Sequence, residues 1–325
     1  MQTRLKGKQI LVTGGAGFIG SHLVDDLMQK GVHVRVIDNL SNGKLMNLER
    51  WTNRSDFELI QGDLKNPGTA CKCVDGIGAV FHFAANPDVR KGESEPSVHF
   101  NENLLATFNL LEAMRNDRTA KRIIFASSST VYGEPTEFPT PENYGPLLPI
   151  SIYGASKMGC ESLISSYCHT FDLRGDILRF ANIVGSRANH GVIIDFVKKL
   201  KRDNKELEIL GDGTQKKSYL HVKDLIKAFF FVLENNAKSN SVAVYNVGSY
   251  DQTDVKRIAE IVCEELGIRK PKFRFSCAAQ DGRGWKGDVK TMQLSIDKLA
   301  NLGWKPSLNS EEAVRLACKE LKNSF

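Results

Sequence analysis

The chain has 325 residues, 41% hydrophobic and 25% charged, a composition that excludes disordered and fibrous architectures. Its 44 Lys and Arg against 38 Asp and Glu leave a net charge of +6, which suits an anionic small ligand as well as nucleic acid and so decides little. The longest apolar run, Ala228 to Leu233, is six residues, whereas a membrane span needs about 20, so no membrane association is expected.

The basic N-terminal stretch MQTRLKGKQILVTGG breaks at Gly14–Gly15 after a strand-length apolar run, too short for a signal-peptide core. Lys8–Thr13 reads as a buried strand, and Ile19, Leu23 and Leu27 recur behind it at helical spacing. Val32–Asp38, Phe57–Gln61 and Ala79–Ala84 read as strands, Leu104–Met114 as a helix and Arg122–Ala126 as a fifth strand. A helix from about Tyr153 to Thr170 precedes a strand at Asp176–Phe180. Strands alternating with helices predict a parallel sheet covered on both faces. After Asn182 the regularity weakens. Asp195–Arg202 and Val222–Glu234 read as helices, Val242–Val247 as one more sheet strand, and Asp254–Leu266 as a helix closed by Gly267. From Phe273 onward short strands lead to a last helix near Glu311–Leu321. The expected fold is α/β: a Rossmann-type doubly wound parallel sheet over residues 1–182, rejoined by about 240–267, with a smaller, interleaved C-terminal domain from 183–239 and 268–325. Seven cysteines, at 71, 73, 160, 168, 263, 277 and 318, form no CxxC pair and read as reduced thiols of a cytoplasmic protein.

Gly14, Gly17 and Gly20 give GxxGxxG between the first strand and the first helix. A Cβ at such positions blocks a tight turn and the close approach of backbone to a pyrophosphate, and the following helix offers its free N–H groups to that anion. Asp38 ends the second strand, 18 residues past Gly20. A carboxylate there accepts both ribose hydroxyls and repels a 2′-phosphate, which favours NAD over NADP. Its bland alternative is a turn residue before Asn39. Asp63, after the third strand, is placed either to cap a loop or to accept from an adenine amino group.

Tyr153 and Lys157 form YxxxK, which puts both side chains on one helix face, where an ammonium beside a phenol favours phenolate. The pattern is common by chance in amphipathic helices. Upstream, Phe125-Ala-Ser-Ser-Ser-Thr-Val-Tyr-Gly133 lies at the carboxyl end of the fifth strand, where ligands of open α/β sheets bind. A hydroxyl there can hydrogen-bond the reacting oxygen of a substrate.

With these motifs the chain resembles an extended short-chain dehydrogenase/reductase of the NAD-dependent epimerase/dehydratase group, most of all its UDP-glucose (galactose) 4-epimerase branch of archaeal type. The resemblance rests on TGGAGFIGSHL (13–23), DNLSNG (38–43), GDL (62–64), FHFAANPDVR (81–90), SSSTVYG (127–133), YGASK (153–157), RFANIVG (179–185), GDGTQKKSYLHVKD (211–224) and RGWKGDV (283–289), which follow family order along nearly the whole chain. It implies tightly held NAD and a UDP-sugar substrate whose C4 is inverted through a transient 4-keto sugar. It assigns NAD to the larger domain and the nucleotide sugar to the smaller. Phe18 and Ile19 would line the pyrophosphate turn, Asp38 and Asn39 hold the adenosine ribose with Asn42 and Gly43 nearby, and Asp63 and Leu64 hold the adenine. Phe83, Ala84, Ala85 and Asn86 would run along the cofactor, with Asn103 in support and Ala181 beside it. Ser128 takes the place of the catalytic Ser/Thr, Tyr153 that of the base, and Lys157 that of its partner; Asn86, Ser128 and Tyr153 would also touch the sugar. Asn182 would face the diphosphate.

The family's usual Arg-Asp-Phe is replaced by Lys217-Ser218-Tyr219, so the pyrophosphate contact would come from Lys217. Trp285 stands where a second Arg is usual, leaving Arg283 as the nearest candidate. Asp288 matches the ribose-contacting Asp, and Met292, four residues on, the side chain that walls the sugar's C2 substituent; Met-Gln-Leu (292–294) also reads as a short strand. Related dehydratases carry an Asp-Glu pair directly before Val-Tyr-Gly, and decarboxylases of the group tend to carry Glu in the second place; here these are Ser129 and Thr130. A homodimer through the Leu104–Met114 and Tyr153–Thr170 helices is implied.

His22, His82, His169, His190 and His221 are scattered without ligand spacing, so no metal is expected. Phe229–Phe231 reads as core, and Lys198, Lys199, Lys201 and Arg202 as a solvated helix face without the aromatics of a single-strand binder. The rival functions are dehydration, decarboxylation or epimerisation of UDP-glucuronate or UDP-GlcNAc on the same scaffold, and, in different classes, a non-catalytic NAD sensor and a nucleic-acid binder, the last resting on the +6 charge alone; the expected partner is a UDP-sugar and not nucleic acid.

Overall fold

The computed structural model describes residues 9–235, 241–277 and 281–322. Its contacts divide the chain into two compact units, Met1–Val131, Ile152–Arg179 and Ile226–Tyr245 in one, and Tyr132–Ser151, Phe180–Leu225 and Asn246–Phe325 in the other.

The first unit is built on a seven-stranded sheet. Its strands in chain order are β1 (Gln9–Thr13), β2 (His33–Asp38), β3 (Phe57–Gln61), β4 (Ile77–His82), β5 (Arg122–Ser128), β6 (Arg174–Phe180) and, late in the chain, β11 (Val242–Val247). From one edge to the other the order is Val242–Val247, β6, β5, β4, β1, β2, β3, and the ladders β1–β2, β2–β3, β1–β4 and β4–β5 are parallel. The order reverses between β1 and β4, the point where open α/β sheets bind ligands. Lys8, the expected start of β1, lies outside the described residues. β1, with Ile10, Leu11 and Val12 wholly buried, carries apolar side chains on both faces, as a strand covered on both sides requires.

Helices cover the sheet: α1 (Phe18–Gln29), α2 (Pro67–Val74), α3 (Ala106–Asp117) and α4 (Ile152–Phe171). α2 is absent from the sequence reading because it is short and polar. Its signals are local: Asn66 accepts from Gly68 N and Thr69 N, and Pro67 sits where a helix has no use for its N–H. Before α3 the chain makes a π-helical turn over Phe100–Leu105, for which sequence periodicity offers no signal. The core on one face of the sheet joins Leu11, Val80, Ile123 and Phe125 to Leu110, Met114 and Ile164.

The second unit contains the parallel pair β7 (Asn182–Val184) and β10 (Tyr219–His221), the parallel pair β8 (Glu206–Leu210) and β13 (Lys272–Ser276), and a three-stranded ladder of β12 (Thr253–Asp254), β9 (Lys216–Lys217) and β14 (Thr291–Met292). Helices α5 (Val192–Arg202), α7 (Val255–Leu266) and α9 (Ser310–Lys322) close its core over Leu207 and Ile209. Asp254 caps Arg257 N and Gly267, at φ 71°, ends α7 as expected.

These boundaries differ from the expected ones in three places. α7 packs Ile258, Ile261 and Val262 into the core of the second unit, not beside the sheet. Residues 132–151 also join the second unit, where Tyr132 donates to Asn246 Oδ1 at 2.7 Å and Thr140 N to Gln293 O at 2.8 Å. The helix α6 (Val222–Asn235) gives most of its length to the first unit, because the Phe229 ring meets Phe81 and Phe83 edge-on at 5.8 and 5.2 Å, and Arg122 donates to the carbonyls of Val232 and Leu233. Among the described residues, no helix is long and apolar enough to cross a membrane.

Candidate active site

At the carboxyl end of β1, Gly14 adopts φ 67° and its N–H donates to Ile37 O at 2.8 Å. A Cβ there would lie 2.8 Å from Ala84 N, and one on Gly20 would strike Gly14 O. The turn therefore tolerates only glycine at both places. α1 begins behind Gly17 with no side-chain cap and no acidic residue in its first turn, so its terminal N–H groups and dipole remain available to an anion. Phe18 and Ile19 occupy that first turn.

The Ala16 peptide is held from both sides. Its N–H donates to Asp38 Oδ2 at 2.9 Å, and its carbonyl accepts from Lys44 N and Asn47 Nδ2 at 3.0 and 2.8 Å. Leu40 N occupies Asp38 Oδ1 at 2.8 Å. Each carboxylate oxygen keeps a lone pair for a ribose hydroxyl. Burial pushes the Asp38 carboxyl up, against the two backbone donors. Gly43 packs so closely on Ala16 and Asp38 that a Cβ would reach 2.9 Å from both. Asn39 donates to Asp63 Oδ2 at 3.1 Å. Partial burial would raise the Asp63 carboxyl, but that bond and Lys65 outweigh it and hold it low. Leu64 is buried beside it and Asn42 is exposed. These residues fit the adenosine half of NAD.

Phe83, Ala84 and Ala85 follow β4. Asn86 N donates to Asn103 Oδ1 at 2.7 Å and Asn86 Nδ2 to Glu102 at 3.1 Å; both asparagines are buried. Ser128 is the last residue of β5, not a loop residue beyond it. Its hydroxyl hydrogen-bonds Tyr153, and Thr130 donates to it at 2.9 Å. The structure thus brings Ser128, Tyr153 and Lys157 together in the first unit.

One expectation is not met. The Lys157 ammonium does not turn to the phenol; it donates to Ala126 O at 2.9 Å, with its Nζ 5.8 Å from the Tyr153 ring centre. Burial pushes the Tyr153 phenol up to about 12, against the Ser128 bond, rather than toward neutrality. Burial also pushes Lys157 down to about 8, against Cys160 and Glu161. Desolvation of both charged forms outweighs their pairing.

The second unit gathers the remaining candidates. Lys217 Nζ meets Asp288 Oδ1 at 2.7 Å, and its ammonium lies 5.5 Å from the Trp285 ring centre. Arg283 pairs with Glu134 and, at 2.5 Å, with Asp281, and donates to Asp288 O at 2.6 Å. Both cations are therefore engaged by carboxylates of the chain. Asn182 Nδ2 and Trp285 Nε1 are buried with no hydrogen-bond partner, two donors suited to an oxygen-rich ligand. Ala181 precedes β7, its N–H on Val247 O. Met292 is buried and pairs with Lys217 across β14 and β9.

Residues 10–248 match the family described as NAD dependent epimerase/dehydratase. The chain belongs to that family. A relative from Methanocaldococcus jannaschii, provisionally named UDP-glucose 4-epimerase, is 33% identical over 97% of this chain and 99% of its own length. A crystal structure of a UDP-galactose 4-epimerase superposes with a TM-score of 0.87 at 43% identity, covering 98% of this chain and 99% of the other. A UDP-glucose 4-epimerase of Thermotoga maritima, solved with UDP-glucose, gives 0.85 at 32%, covering 97% and 99%. As a family member the chain is NAD-dependent, which agrees with the glycine turn, the uncapped helix and Asp38.

Sequence reasoning missed the polar groups that support the site. Asn47 on Ala16 lies in a stretch without motif. Glu161, buried, binds Ser127 and takes the Arg179 guanidinium at 2.7 Å. Its spacing from Lys157, again i to i+4, was the available signal. His82 and Ser156 lie inside the FHFAANPDVR and YGASK stretches, which say nothing of the partners these two side chains take, and Thr107 lies in no motif.

Proposed function

We propose that this protein is a nucleotide-sugar 4-epimerase of the UDP-glucose/UDP-galactose type. The observation that carries the reading is the Ser128, Tyr153 and Lys157 cluster at the end of β5, with hydroxyls and no carboxylate at Ser129 and Thr130. Tyr153, as phenolate, takes the proton of the sugar's C4 hydroxyl and returns it to the same oxygen after inversion. Ser128 hydrogen-bonds that oxygen throughout. Lys157 stabilises the phenolate once its ammonium leaves Ala126. NAD, when bound, supplies the hydride acceptor and donor. Asn182, Lys217, Arg283 and Asp288 hold the nucleotide diphosphate; Arg283 and Lys217 exchange carboxylate partners for phosphate oxygens.

Two copies pair through α3 and α4 in this reading. Phe100, Phe108, Ile152 and Phe171 are 57%, 40%, 44% and 38% exposed, apolar side chains on or beside these helices that such pairing would cover. The seven cysteines are free thiols, which supports a reducing, cytoplasmic setting.

The test is incubation of the purified protein with UDP-, GDP- and dTDP-hexoses, read by NMR at the anomeric proton, with sizing chromatography alongside. Interconversion of UDP-glucose and UDP-galactose by a dimer is expected. NAD-loaded protein that converts neither sugar would overturn the reading.

A further inference from the structure

His82 ends β4 wholly buried, and no step of the proposed reaction uses it. Its Nδ1 lies 2.7 Å from Thr13 Oγ1 and its Nε2 2.9 Å from Thr107 Oγ1. Proton accounting gives the direction of both bonds. Thr13 Oγ1 already accepts from the main-chain N–H groups of Phe83 and Ala84, each at 3.1 Å. Its lone pairs are occupied, so its hydroxyl proton goes to Nδ1. Thr107 spends its own proton on Asn103 O at 2.7 Å, so its oxygen accepts from Nε2–H. Both ends require one neutral tautomer, protonated at Nε2 alone. Burial, with the charge of Lys157 nearby, pushes the ring down to about 3. At Asn103 the series passes through the residue itself, from its main-chain carbonyl to its side-chain amide. Asn103 Oδ1 accepts from Asn86 N at 2.7 Å, Asn103 Nδ2 donates to Ser156 Oγ at 2.9 Å, and Ser156 donates to Tyr153 O at 2.7 Å.

We propose that His82, as the Nε2–H tautomer, is a positioning residue that ties the Phe83–Ala84 peptides at the cofactor end of β1 and β4 to Asn103 and, through Ser156, to the first turn of the helix bearing Tyr153 and Lys157. The proposal rests on the roles given to those residues above. From the Phe83 and Ala84 N–H groups to Asn103 O the donors and acceptors alternate in one arrangement that satisfies every member, the Asn103 side chain then anchors Asn86 and Ser156, and a half-satisfied buried network is costly. The spacing between the cofactor shelf and the phenol is set by that arrangement, and misplacement on the order of 1 Å can cost about 100-fold in rate.

The test uses the full-length protein. Imidazole ¹⁵N–¹H spectra of the wild type are expected to give His82 a protonated Nε2 and a bare Nδ1, unchanged from about pH 8 to about pH 5. His82→Leu removes both bonds, whereas His82→Gln keeps an acceptor for Thr13 and a donor for Thr107. The Leu variant is expected to lose about tenfold or more in kcat with KM within about twofold, and to release NAD faster; the Gln variant recovers most of both losses. Should His82→Leu fail to fold, Thr107→Val, which keeps the shape and removes the hydroxyl that joins His82 to Asn103 O and meets Cys160 Sγ, is expected to show the same split. An Nδ1-protonated ring, or Leu and Gln variants that match each other or match the wild type, overturns the proposal. Wild-type protein that epimerises nothing sinks the functional reading instead, and the tautomer and NAD-release measurements still decide His82.

Discussion

The Lys157 ammonium donates to the Ala126 carbonyl over 2.9 Å, two residues before Ser128, and so binds α4 to β5 where the Ser128 and Tyr153 hydroxyls meet. The same bond keeps the charge off the Tyr153 phenol, which burial holds near 12. In the proposed reaction, the Lys157 ammonium and the positive charge that a bound nicotinamide would bring both act to lower that value.

Tyr153→Phe keeps the ring and removes the titrating hydroxyl. NAD binding should persist while turnover falls by about 10²–10⁴. Sugar-nucleotide conversion and co-purified NAD are the two measurements. Near-normal epimerisation by the variant would show that another group moves the proton.

Lys157→Met should abolish activity yet stabilise the fold at neutral pH. The ammonium drops from its ordinary 10.5 to about 8, which corresponds to about 3 kcal/mol, less about 1 kcal/mol for the Ala126 carbonyl left without its donor. The folded value is the lower one, so between about 8 and 10.5 the unfolded chain binds more protons and wild-type stability rises with pH. The advantage of the Met variant, about 2 kcal/mol at pH 7, should shrink across that window. Denaturant unfolding at a series of pH values checks this; a wild type that is the more stable at pH 7 contradicts it.

No 4-keto-6-deoxy sugar should form from dTDP-glucose or UDP-GlcNAc. Elimination across C5 and C6 needs one group to take a proton and another to give one, and the hydroxyls of Ser129 and Thr130 titrate far outside the neutral range. A time course followed by NMR that accumulates such a product would reassign the reaction.

Met292 is 6% exposed and its backbone is held in the ladder with Lys217. Methionine is unbranched and can move aside at modest cost, so both plain hexoses and, less efficiently, N-acetylhexosamines should be accepted. Met292→Tyr should suppress the N-acetylated substrates selectively, and Met292→Gly should favour them. Overpacking costs about 1–3 kcal/mol, so thermal midpoints belong beside the kinetics. If both variants scale every substrate by one common factor, Met292 is packing and gates nothing.

Local chemistry accounts for what was readable in the sequence alone. Glycines at 14, 17 and 20 announce the turn because a side chain there meets backbone three to six residues back or across on Ala84. Phe57–Gln61 has the expected bounds, and Asp254 and Gly267 bracket their helix, because strand alternation and capping are short-range effects. Tyr153 and Lys157 were placed on one face by helical spacing. Tertiary structure decided the rest. His82 reads as one more strand residue until the fold sets Thr13 and Thr107, 69 and 25 positions away, against its two nitrogens. The partners of Arg283 and Glu161, and the assignment of α7 to the second unit, are likewise long-range. Periodicity says which face of an element is buried. It does not say which other element buries it, or which proton a buried polar group must give or take, and those are settled only when the elements meet.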